Sequence, residues 1–168
     1  MCSVSGPGMK IELLCVGRLK DEPERQIVAR YLERFQQFAA PLGFTAPVIT
    51  ELLESRAKSS KERKASEAAE LRKKLKAGAK VIVLDERGQA MSSADLATLL
   101  AGWRDGGARH LNIVIGGPDG LDAEFSRAAT LNLSLGRMTF PHGLARAVLA
   151  EQLYRAASIL AGHPYHRA

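Results

Sequence analysis

Short apolar runs alternate along the chain with longer stretches in which apolar residues recur every three or four positions. Lys10–Val16 (KIELLCV), Val48–Leu52 (VITEL), residues 80–85 (KVIVLD) and residues 111–115 (LNIVI) are short aliphatic runs, and 131–135 is a weaker fifth. Runs of this kind predict strands, and the most continuous of them predict strands covered on both faces. Between them lie helical patterns. In 24–38, Ile27, Tyr31, Phe35 and Phe38 share one helical face, and Pro41 and Gly43 end the helix. A charged stretch then carries a thin stripe of Ala68, Leu71 and Leu75, with Gly78 as its stop. Ser92 or Ser93 is placed to cap the next helix, with Leu96, Leu99, Leu100 and Trp103 inward. Residues 122–130 form a short helix. The last helix, 144–160, has Ala145, Val148, Leu149, Gln152, Leu153, Ala156, Ile159 and Leu160 inward. Strands alternating with helices predict an α/β fold, a parallel sheet with helices on both faces.

The chain has 168 residues, which suits one domain. Residues 1–8 (MCSVSGPG) are small and turn-forming, and are read as a disordered extension before a single domain over 9–168. They lack the basic start and apolar core of a secretory signal. No run is long and apolar enough for a transmembrane helix. Cys2 and Cys15 cannot build a disulfide framework, so a reducing, cytoplasmic setting is expected.

Charge changes the picture. The formal net charge is +6, but residues 56–80 alone carry ten Lys/Arg against three Glu, so the rest of the chain is near −1. A local basic segment is either a solvated helix face or a surface for a nucleic-acid phosphate backbone.

Ligands of open parallel sheets bind at the carboxyl ends of strands. Three such ends are marked: Leu84-Asp85, the glycine cluster 116–120 (GGPDG), and 135–141 (LGRMTFP) leading into the last helix. Neither glycine cluster fits a dinucleotide or P-loop pattern. The C-terminal 163–167 (HPYHR) puts two imidazoles, a phenol and a guanidinium in five residues, directly after a well-patterned helix. His142 precedes that helix. An H-x-x-H spacing with no Cys or acidic partner beside it is a weak metal signature, and no metal is expected.

Taken together, GGPDG at 116–120, SLGRMTFPH at 134–142, EQLYRA at 151–156 and HPYH at 163–166 resemble the RlmH family of bacterial ribosomal RNA methyltransferases, of the SPOUT class. The likeness runs from Met9 to the end of the chain. It implies a C-terminal trefoil knot, which general topology rules would not anticipate. It implies S-adenosylmethionine as cofactor, held by Leu84, Gly116, Gly117, Leu135, Gly136, Arg137, Met138, Thr139 and Phe140. The implied reaction is methylation of N3 of a pseudouridine in 23S rRNA of the assembled ribosome. A homodimer is implied too, in which one subunit's tail completes the other's site. N3 of a pyrimidine carries an imide proton, so the chemistry calls for a base and for donors to the flanking carbonyls. His142, His163, Tyr165 and His166 are the titratable candidates, with His166 or Tyr165 favoured at the chemistry and Arg155 or Arg167 on a phosphate or a base carbonyl. Two other readings fit the same residues: a SPOUT enzyme with another RNA target, and a non-catalytic ribosome-binding factor.

Overall fold

A computed structural model describes residues 8–167. The extension read for 1–8 lies outside the described residues except for Gly8, which packs so closely on Gly43 that a Cβ would sit 2.8 Å from its carbonyl.

Five strands, β1 (Lys10–Val16), β2 (Val48–Leu52), β3 (Lys80–Ala90), β4 (His110–Ile115) and β5 (Leu131–Ser134), form one sheet in the order β2-β1-β4-β3-β5. Every pairing is parallel. Five helices connect them: α1 (Pro23–Ala39), α2 (Ser60–Lys74), α3 (Ser93–Asp105), α4 (Ala123–Ala128) and α5 (His142–Leu160).

Alternate side chains of each strand feed two cores, as the two-residue period requires. Ile11, Leu13, Ile82, Leu111 and Ile113 face α1, α3 and α5, where Phe35, Leu96, Leu100, Leu149 and Leu153 are buried. Leu14, Val16, Val83 and Val114 face the opposite layer, where Ala68 and Leu71 of α2 and Phe125 of α4 are buried. Each fully buried Leu or Phe contributes roughly 1.5–3 kcal/mol of hydrophobic stabilisation. The strand order is compatible with the C-terminal knot implied by the resemblance.

Several details depart from the sequence reading. In α1 the buried positions are Val28, Phe35 and Ala39, while Ile27 stays exposed. The helix serves two neighbours: Phe35 meets the sheet core, and Val28 meets Ala147 and Ala150 of α5. β3 runs on to Ala90. Its pairing with β5 shifts register between Leu84 and Gln89, so residues 85–88 bulge outward. A Cβ at Gly88 would lie 2.5 Å from the Asn132 carbonyl oxygen, so only glycine fits at this crossing. Ser92, not Ser93, caps α3, in a capping box with Asp95. α5 begins two residues earlier than the pattern suggested. It is packed between α1 and α3: of the predicted stripe Leu149, Leu153 and Ala156 are buried and the rest half-buried, while Arg146, Ala150, Ala157 and Ser158 are buried outside it.

Candidate functional site

The three strand ends marked in the sequence are neighbours. β4, β3 and β5 are adjacent and parallel, so Leu84, Gly116 and Leu135 all lie at the carboxyl edge of one half of the sheet. The loop after β5 is tied to the bulge of β3. Ser134 Oγ donates to the Glu86 carbonyl oxygen at 3.1 Å, and Thr139 Oγ1 donates to the Glu86 carboxylate. Beyond Gly136, whose φ of +140° and open surroundings suit glycine, Met138 is 79% exposed and Phe140 38%.

The glycine loop after β4 is held from α2. Arg63 makes a forked contact to Asp119, with Nε to Oδ2 at 2.6 Å and Nη2 to Oδ1 at 3.0 Å. This contact holds the Asp119 carboxyl below its ordinary value and the Arg63 guanidinium above its own. Gly117 is tight: a Cβ there would lie 3.1 Å from Val16 Cγ1 and 3.3 Å from Glu67 Oε2. Glu67 is buried, with Oε1 accepting from the Ser55 amide. The charged stretch 56–80 thus has an inner face that serves as a clamp. Its apolar stripe had been visible; Arg63 and Glu67 had not, since nothing in their spacing separates them from the other charges of α2.

The tail folds back on α5. Glu151 Oε1 accepts from Tyr165 Oη at 2.9 Å and from both Nε, at 3.0 Å, and Nη2 of Arg155. Arg155 Nη1 lies 3.3 Å from His166 Nδ1. Its guanidinium stands 4.8 Å from the centre of the Tyr165 ring, which packs on Tyr154. His163 meets Phe38 edge-on. Glu151 Oε2 accepts from Gln152, which in turn accepts from Ser93 of α3. Burial first, then the Tyr31 phenol and the Glu151 carboxylate, push the Tyr165 hydroxyl well above the ordinary tyrosine range. Glu151 raises the Arg155 guanidinium further. In this arrangement the phenol donates its hydrogen bond to Glu151 and leaves a ring face beside the Arg155 guanidinium. Arginine can only donate, so in this contact Nδ1 of His166 accepts and Nε2 carries the proton. Glu151, in the sequence one half of an i,i+4 pair, is the hub of the cluster.

His142 is not with this cluster. It opens α5 two residues after Phe140, and its ring lies over Gly17 at the end of β1. Arg155 is thirteen residues further along α5, a rise of roughly 20 Å. Within one chain the 135–140 loop and His142 lie at one end of α5, and Tyr165, His166 and Arg155 at the other. Arg167 is exposed beyond them.

The cofactor implied by the resemblance is S-adenosylmethionine. The residues present fit it: three adjacent strand-end loops, glycines through which a ligand can reach the backbone, and an exposed thioether and phenyl ring above them. No group of three or more His, Cys, Asp or Glu able to hold a metal occurs among the described residues.

Residues 9–166 match the family described as "Predicted SPOUT methyltransferase". The chain belongs to the SPOUT methyltransferase family. Curated relatives are more specific. A protein of Sinorhizobium fredii named ribosomal RNA large subunit methyltransferase H is 52% identical over 95% of this chain and 100% of its own length. Proteins of the same name from Rhizobium etli and Brucella anthropi are 52% and 48% identical, each over 95% of this chain and 99% of its own length. Among solved structures, the SpoU methyltransferase AviRb from Streptomyces viridochromogenes, in complex with the cofactor AdoMet, is similar at a TM-score of 0.43 and 12% identity. That likeness covers 93% of this chain and 60% of AviRb, so the chain spans about three fifths of its length.

Proposed function

We propose that this chain is an S-adenosylmethionine-dependent methyltransferase of large-subunit ribosomal RNA. It acts in the cytoplasm, on N3 of a pseudouridine in 23S rRNA within the assembled ribosome. The single observation that carries the reading is the set of carboxyl-edge loops at Leu84, Gly116–Gly117 and 135–140, in a chain 52% identical over its length to a relative named for this activity.

Leu84, Gly116, Gly117, Leu135, Gly136, Arg137, Met138, Thr139 and Phe140 would hold the cofactor, largely through backbone groups. When bound, the cofactor supplies an electrophilic methyl group and needs no activating metal. The demand on the protein is to free the N3 lone pair. His142, next to the 135–140 loop, takes the imide proton; an imidazole suits this near neutral pH. His166 Nε2–H and the Arg155 guanidinium donate to the flanking carbonyl as charge develops there. Tyr165 offers a ring face to the extruded base, which costs less to unstack from a loop than from a helix. The basic outer face of α2 contacts the phosphate backbone.

His142 and His166 lie at opposite ends of α5, so one chain does not complete the site. A homodimer in which the tail of one protomer meets the cofactor loops of the other does. Ile27 of α1 and Leu144 of α5, apolar and exposed on paired helices, suit the buried face of such a dimer.

The reading is tested by transfer of labelled methyl from S-adenosylmethionine to ribosomes and to separated subunits lacking the modification, with the product mapped by mass spectrometry. Label on N3 of one 23S pseudouridine, lost in His166→Ala, is the expected result. Tight ribosome binding without label on any substrate would identify a binding factor instead.

A further inference from the structure

A second concave feature lies on the same edge of the sheet, beside the glycine loop. A cavity of about 570 Å³ opens where α1, β2 and the first turns of α5 meet. Arg18, Arg25 and Arg146 line it, with Glu51 as their carboxylate and Val28 and Ile49 as apolar wall. Three guanidinium groups against one carboxylate leave the lining with an excess of two positive charges. Glu24 and Glu54 stand nearby, against Gly143 and Gly17, and are not part of that lining.

Arg146 is the unusual member. Its side chain is 1% exposed; Nη1 donates to Glu51 Oε1 at 2.7 Å and Nη2 to the Gly17 carbonyl oxygen at 3.2 Å. Its Nε is buried and has no acceptor among the described residues. That atom is closed off, so Arg146 forms the fixed back wall of the cavity, and the donors open to a ligand are those of Arg18 and Arg25. Arg25 is already positioned at the rim, Nη1 donating to the Leu19 carbonyl oxygen at 2.9 Å. Arg18 is exposed and free to reach inward. The location links the cavity to the chemistry. Gly17, which holds Arg146 and lies under His142, follows β1, and Val16 beside it abuts Gly117 of the cofactor loop.

We infer that this cavity takes one nucleotide of the RNA substrate next to the target base. Its phosphate meets Arg18 and Arg25 with Arg146 behind them, and its sugar and base edge lie on Val28 and Ile49. The inference rests on the RNA-methyltransferase reading. The volume falls within the range of roughly 300–1,000 Å³ of small-ligand sites, enough for one nucleotide and too small for a stem. Planar guanidinium groups match phosphate oxygens in pairs, which favours this chemistry over an apolar occupant.

The test is an Arg18→Ala/Arg25→Ala double variant, both changes at exposed rim side chains. Wild type and variant are compared on ribosomes lacking the modification. KM for ribosomes is expected to rise about tenfold while kcat and calorimetric affinity for S-adenosylmethionine hold. The slope of log affinity against log salt should fall by about 1 per residue removed. An Arg18→Lys/Arg25→Lys variant should recover part of the loss. Unchanged KM and unchanged salt slope overturn the inference. So does a variant that sediments as a monomer, which would assign the cavity to a protein contact between subunits. Ribosome binding by sedimentation reads the cavity independently of methyl transfer, so a failure of the enzymatic reading remains distinguishable.

Discussion

Glu151 shows how much one carboxylate can organise. A single oxygen receives Tyr165 and Arg155, and through Arg155 sets the tautomer of His166. Glu151→Gln keeps the shape and removes the charge. It should lower kcat roughly 10- to 100-fold, the cost of loosening charge-assisted bonds, with cofactor affinity unchanged by calorimetry. Tyr165→Phe keeps the ring and loses one hydrogen bond. A fall in kcat of about tenfold or less is expected, the cost of the one hydrogen bond to Glu151. Cys15 offers a stability test. Burial pushes its thiol from 9.0 to about 11, partly offset by Arg146 and reinforced by Glu51. The folded state then holds its proton more tightly than the unfolded state. The stabilisation is full below pH 9 and is lost as pH rises through 11, roughly 2–3 kcal/mol in all. Denaturant melts of Cys15→Ala should show a smaller decline over that window than the wild type.

Helix α2 illustrates an element with two roles. Its outer face carries lysines; its inner face reaches the glycine loop through Arg63 and Glu67. Arg63→Ala should leave the helix folded, since Ser59 still caps it and Leu71 still anchors it. The freed loop should weaken S-adenosylmethionine binding about three- to tenfold by calorimetry, because a loop that must be ordered on binding costs affinity. At α5, Arg146→Ala leaves Glu51 without its guanidinium in a half-buried position and should cost about 3–5 kcal/mol in denaturant unfolding. Adding Glu51→Leu to the same chain should return part of that loss, as removal of both charges is milder than removal of one.

At the scale of the molecule, the proposed homodimer raises the question of which protomer supplies which half of the site. Mixing inactive His142→Ala and His166→Ala proteins, after subunit exchange, gives a decisive readout. If the tail acts across the dimer, heterodimers contain one intact site, and about a quarter of wild-type activity should return at equal mixing. If each chain uses its own tail, no activity returns. The first outcome would also explain why α5 separates residues that cooperate.

The amino-acid sequence by itself determined the layering. Its apolar runs located β1 and β2 to the residue, β4 and β5 to within one position and the start of β3, because burial of alternating or continuous aliphatic runs leaves few other solutions. It also marked three strand ends, two of them bearing glycine and proline, and the histidine-bearing tail, since those residues are chemically conspicuous. The end of β3 was not legible, because a bulge depends on what crosses it, here Asn132 against Gly88. Nor was the inward face of α1, which α5 rotates by packing beside it. Nothing in the sequence singled out Arg146 or Glu67. Only the tertiary structure did so, by bringing Glu51 to one and the Ser55 amide to the other across 95 and 12 residues of chain. The separation of His142 from His166 was likewise settled in three dimensions: sequence shows that both flank one helix, and the tail's fold back onto Glu151 and Arg155 keeps them at its two ends.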